Sequence, residues 1–192
     1  PIIVTFWLAQ WGLFLQQSGW GEEWQLARRT IHLGAYVLVL GIIVTVTRIS
    51  MVVVNRALEE QNDSERQFRP LPPRRNLAAA CYVLFCGCEL FWPGQSYTGW
   101  VALAAGAAQM DRLADWHLGR ILLKPYVAIV YSTNLWIGIG LLGIGASYLM
   151  EPALAGHWRH ALFIGAIGSA VLAVFSIAGL RHSGLDFPIP TA

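Results

Sequence analysis

Six apolar runs separated by polar punctuation organise this chain, at approximately 2–17, 31–54, 77–92, 97–113, 126–149 and 161–180. Each run is continuous rather than alternating, so the period of a membrane-spanning β-strand is absent from it. A spanning helix needs about 17 to 25 predominantly apolar residues, and several runs sit at the short end of that range. Helices satisfy their own backbone groups in hydrocarbon. The pattern therefore predicts an all-α fold, a polytopic transmembrane bundle of about six helices. Its clearest segment is His157 to Gly184, a long uncharged run between a His-Trp-Arg-His cluster and an Arg-His-Ser-Gly exit.

Composition sharpens this. Of 192 residues, 56% are hydrophobic and 12% charged, about half the charged fraction of a soluble domain, with mean hydropathy +0.51. A lipid bilayer is thus the expected partner. A formal charge of +2 argues against nucleic acid, which asks for a concentrated basic face. The three cysteines form no disulfide framework. The chain opens at Pro1 in an apolar run with no signal-peptide layout, which reads as a chain whose true beginning lies upstream.

The loops set the expected orientation. Arg56, Arg66, Arg69, Arg74 and Arg75 fall in the segment 55–76, Arg112, Arg120 and Lys124 in the next connection on the same side, and Arg181 in the tail. The positive-inside rule then puts both termini and this loop in the cytoplasm. The segment 55–76 is polar and proline-rich and is expected to act as a flexible linker within a single transmembrane domain, 1–192. Trp20, Trp24, Trp92, Trp100 and Trp158 are expected at one headgroup boundary and Trp116 at the other. Gly138, Gly140, Gly143, Gly145, Gly165 and Gly168 are expected to let helices approach closely.

Residues able to do chemistry sort by depth. His32, Glu89, His157 and His160 lie toward the non-cytoplasmic end, His117 and His182 toward the other. His160 and His182 are about 33 Å apart along a helix, so one iron cannot take both. His157 and His160 share a face, with His32 and Glu89 available across the bundle. His32 and His160 are the expected ligands to a b-type haem or a metal, with His157 and Glu89 as metal donors, the alternative being that these histidines simply sit at the headgroup boundary. Cys81 and Cys88 share a face and, with Glu89, suit a soft metal such as copper(I), the alternative being small buried hydrophobes. Arg48 lies inside the second run, and Asp111 and Asp115 at similar depth in the fourth. Ionisable groups there are expensive unless paired, which predicts an Arg48 contact with Asp111 or Asp115, structural or proton-transferring.

The sixth run, with His160-Ala-Leu, Gly165-Ala-Ile-Gly168, Leu172-Ala-Val and His182-Ser-Gly184, resembles the C-terminal part of the NnrS family. Arg112-Leu113, Trp116, Pro125 and Trp136 follow a similar spacing, and Arg48 fits more loosely. The resemblance implies a polytopic protein of the bacterial inner membrane, associated with denitrification and nitric oxide stress, with haem and copper as cofactors. It matches His160 and His182 to family histidines, and makes this chain the C-terminal part of a longer protein. A haem- or copper-binding protein and a cofactor-free accessory or assembly subunit of a larger respiratory or photosynthetic complex are the two functional readings. No nucleophile, base and oxyanion arrangement marks an enzyme.

Overall fold

The structure, a computed structural model, describes Trp11 and residues 24–61, 66–116 and 118–184. All regular structure among them is helical. Helix α1 (Trp24–Glu59) is followed by α2 (Pro72–Phe91), α3 (Ser96–Leu113), α4 (Pro125–Met150), α5 (Ala155–His160) and α6 (Gly168–His182). A π-helical stretch, Ala161–Ile167, joins α5 to α6, so 155–182 is one rod. Five of the six expected helices are thus present. The first run, 2–17, lies outside the described residues save Trp11, as do Trp20 and His117.

Prolines open three of the helical segments. Pro72, Pro125 and Pro152 occupy first-turn positions, where the missing N–H leaves nothing unpaired and the fixed φ suits a helix. The α2–α3 hairpin turns at Gly94, whose φ of 76° favours glycine.

Helix α4 is the axis of the bundle. It packs on α3, α1, α5, the π-helical stretch and α6, while α2 packs on α3 and α1. Small residues set how closely α3 and α4 meet. A Cβ on Gly145 would stand 2.8 Å from the Gly99 carbonyl oxygen, and one on Gly99 2.9 Å from the Tyr148 Cβ, so the backbones touch where only hydrogen fits.

Two apolar layers fill the interior. One holds Tyr36, Ile43, Tyr82, Phe85, Leu141, Ile144 and Leu162; the other holds Val53, Leu58, Phe68, Trp116, Ile121 and Val130. The outside is apolar too, with Val44, Val52, Leu84, Trp100, Ile164, Leu172 and Phe175 exposed. Water would penalise that surface; hydrocarbon does not. Ile31–Glu59, Pro125–Met150 and Pro152–Ile177 are long and apolar enough to cross a membrane, and the fold is a transmembrane helix bundle.

Within segment 55–76, residues 55–59 complete α1 and 72–76 begin α2, while 62–65 lie outside the described residues. Between them Phe68 is buried, its amide donates to Asn55 Oδ1 at 2.7 Å, and its ring lies 5.0 Å from that of Trp116. Hence Trp116, expected at the headgroup boundary, is a core residue at 5% exposure, packed also on Tyr131. Trp92 and Trp100 are exposed as expected of belt residues.

At the same end Glu60 joins α1 to α4, accepting from Lys124 Nζ at 2.6 Å and Tyr126 Oη at 2.7 Å. Burial pushes its carboxyl up, but those hydrogen bonds and the charges of Lys124 and Arg56 outweigh it and hold it below the usual carboxylate value.

Candidate functional site

A carboxylate in the last turn of an apolar helix must find donors, because an isolated buried charge costs far more than any contact it leaves idle. Glu89, 5% exposed on α2, finds them on three other elements. Arg159 of α5 donates from Nη2 to Oε1 at 2.5 Å. Tyr148 of α4 donates its hydroxyl, 2.8 Å from each carboxylate oxygen. Tyr36 of α1 donates at 3.4 Å. Arg159 also donates from Nε to the Tyr36 hydroxyl at 2.9 Å, contacts the Tyr148 hydroxyl, and stands over the Tyr148 ring, 5.6 Å from its centroid. Tyr82 then donates to the Tyr36 carbonyl at 2.9 Å. Four elements meet at one ion pair.

This network forms one wall of a cavity of about 450 Å³, whose lining also includes Arg29, His32, Cys86, Pro93 and Gly156. That is the size of a small-ligand site. Its wall offers a charge-neutral Glu–Arg pair, two phenols, an imidazole and a thiol.

Of the expected outer-layer residues, only His32 and Glu89 reach this cavity. His157 and His160 are exposed on α5, and His160 Nδ1 lies 2.8 Å from the Gly156 carbonyl oxygen. The helix turns Arg159 inward and therefore its two histidine neighbours elsewhere. Cys81 is part-buried against the apolar layer beside Tyr82 and Phe85, and Cys88 is part-buried. Cys86, not singled out from the sequence, is the cysteine on the cavity. His182 ends α6, and its side chain lies outside those described. Among the described residues no three His, Cys, Asp or Glu side chains come together as a metal cluster.

The expected pairing of Arg48 is also corrected. Arg74 of α2 takes both aspartates, with Nε 3.1 Å from Asp111 Oδ2 and Nη1 2.7 Å from Asp115 Oδ1, and Asp115 further accepts from the Leu71 amide at 3.1 Å. Arg48 is exposed on α1. The buried arginine at this depth is Arg112 of α3, 3% exposed, which donates to the Thr47 hydroxyl and whose Nη1 has no partner. One turn earlier, Gln109 donates to Asn134 Oδ1 at 3.1 Å and leaves its own Oε1 unpaired.

Arg159, Tyr36 and Tyr148 were missed from the sequence. The available signal was Glu89 itself, a carboxylate in an apolar run that demands a cation at its own depth. Arg159, within the His-Trp-Arg-His cluster at that end of the bundle, is such a cation.

The sequence resemblance implies two groups, haem and copper. Haem of b type asks for at least one axial imidazole; among the described residues His32 is the one histidine on the cavity, and the Glu89 oxygens are taken by three protein donors, so a haem held by two histidines does not fit these residues. A copper(I) ion asks for soft or imidazole donors, and Cys86 and His32 are of those types.

A family model described as "NnrS protein" matches residues 1–192. No curated protein and no solved structure gives a significant match.

Proposed function

Since the chain belongs to the NnrS family over all 192 residues, we propose that it is a multi-pass protein of the bacterial inner membrane that binds a small ligand or copper in the Glu89–Arg159 cavity, in the physiology of nitric oxide or denitrification. The observation that carries this reading is the cavity wall itself, where an imidazole and a thiol stand beside a buried, neutralised ion pair. His32 and Cys86 would hold the metal. Copper bound there would supply electron transfer or nitric oxide binding. Tyr36 and Tyr148 keep the Glu89 carboxylate saturated with donors, so it neutralises Arg159 instead of competing as a ligand. The apolar helices around the layer exclude water. By the loop charges, the cavity opens on the non-cytoplasmic side.

Copper(I) titration of the detergent-purified chain against a chromogenic chelator tests this. One equivalent per chain is expected, lost in His32→Ala and Cys86→Ser and retained in His157→Ala and His160→Ala. Stoichiometric haem that disappears with His160→Ala would sink it. One observation favours a second reading: the hydrogen bonds of Glu89 all run inward and tie four elements together. A chain that binds neither group yet travels with a larger membrane complex would be a cofactor-free accessory subunit.

A further inference from the structure

A second surface feature lies some 20 Å or more from the cavity along the helix axes. On α1, Arg48 follows His32 by 16 residues, about 24 Å at 1.5 Å per residue; on α2, Arg75 precedes Glu89 by 14, about 21 Å. The two arginines therefore stand near the opposite boundary of a hydrocarbon core about 30 Å thick. They share a groove of about 720 Å³ between α1 and α2, floored by Ile43, Val44, Met51, Val52 and Ala79.

The local charge is unbalanced. Among the described residues Arg48 makes no hydrogen bond or ion pair, and Arg75 reaches only the neighbouring Asn76, at 3.1 Å. The two carboxylates at this level, Asp111 and Asp115, are held by Arg74. Thr47 lines the groove, and behind it Arg112 is bonded to the Thr47 hydroxyl, with one nitrogen unpartnered, attracted by the Asp115 charge and more weakly repelled by Arg75. Three guanidinium groups thus gather at one level of the groove, with Ile43, Val44 and Ala79 on its membrane-core side. In a membrane an apolar groove below a cationic rim is complementary to one occupant, an acyl chain below an anionic headgroup. Basic pockets between transmembrane helices bind such lipids.

We propose that the α1–α2 groove is a specific site for an anionic phospholipid, its phosphate on Arg48 and Arg75 and an acyl chain along Ile43, Val44 and Ala79. This rests on the bundle being in a membrane and not on any metal in the cavity. The phosphate supplies negative charge to Arg48 and Arg75, which no carboxylate among the described residues pairs, Asp111 and Asp115 being held by Arg74.

Native mass spectrometry of the full chain with equimolar phosphatidylglycerol and phosphatidylcholine tests it, with thermal midpoints in the same mixtures. At about fivefold for each arginine near the surface, phosphatidylglycerol should be retained over phosphatidylcholine by fivefold or more. Arg48→Gln with Arg75→Gln should bring the preference near one, and Arg56→Gln, whose arginine already pairs with Glu59, should leave it intact. Ala79→Trp, which fills the acyl part and keeps both arginines, should also reduce retention, and stands as the test if the double variant fails to fold. Equal retention of both lipids, or a preference unchanged in these variants, overturns the proposal. So does millimolar inorganic phosphate that raises the midpoint as much as the lipid does, which would make this a free-anion site.

Discussion

The Glu89 layer and the Arg112 layer solve the same problem in opposite ways. Each buries a guanidinium inside a transmembrane bundle. Around Arg159 every strong acceptor is turned inward, and a carboxylate 2.5 Å away cancels the charge. Around Arg112 the nearest carboxylates are diverted to Arg74, leaving one hydroxyl partner and one idle nitrogen. A buried pair is a weak source of net stability but is costly to break, because the survivor is left uncompensated. Arg112, with no direct ion pair among the described residues and only the field of Asp115 in its favour, has less to lose. The first layer is therefore where single substitutions should hurt, and the second where they should be tolerated.

The sharpest break is Glu89→Ala. It strands Arg159 at 15% side-chain exposure and should cost about 3 kcal/mol, read as a lowered denaturation midpoint in detergent. Replacing both partners, Glu89→Leu with Arg159→Met, should recover most of that loss, since an apolar pair of similar volume is often neutral. If the double variant is as damaged as the single one, the pair does more than cancel charge.

Arg112→Leu should shift the same midpoint by less than about 1 kcal/mol in either direction, since it removes a buried charge that has no direct ion pair together with a single hydrogen bond. A loss as large as that of Glu89→Ala would erase the contrast between the layers. The smallest effect belongs to Glu60, outside both layers. Its carboxyl is held below the usual value, so its contribution is complete above the unfolded-state pKa and is lost as pH falls through the lower folded one. For a partly exposed pair this is below about 1 kcal/mol. Comparing wild type with Glu60→Gln between neutral pH and the acid range should show a difference that closes on acidification.

Continuity of apolar residues made the helices legible in the sequence, because in hydrocarbon length and uninterrupted hydrophobicity nearly decide the element. Depth was legible for Glu89 and His32, which do share a layer. Pairing was not. Arg48, Arg74 and Arg112 fall at comparable depth, and which one meets Asp111 and Asp115 depends on rotation about three helix axes, which spacing within one run does not determine. The His157–His160 face failed for the same reason: an i, i+3 pair identifies a face but not the neighbour it looks at. Trp116 was misplaced because an indole next to charged residues reads as an anchor, and only the folding back of Phe68 onto it makes it core.

The π-helical stretch, Ala161–Ile167, bears on how this lineage can change. A π turn takes up about one residue more than an α turn over the same axial advance, so it stores a surplus residue without rotating the helix on either side. Rewinding 161–167 as α-helix with every residue kept would swing Arg159 about 100° around the axis, away from Glu89. Removing one residue from the same stretch would leave both ends facing as they do. A deletion of one residue, which elsewhere along the rod would turn one end against the other by about 100°, is absorbed within these seven positions.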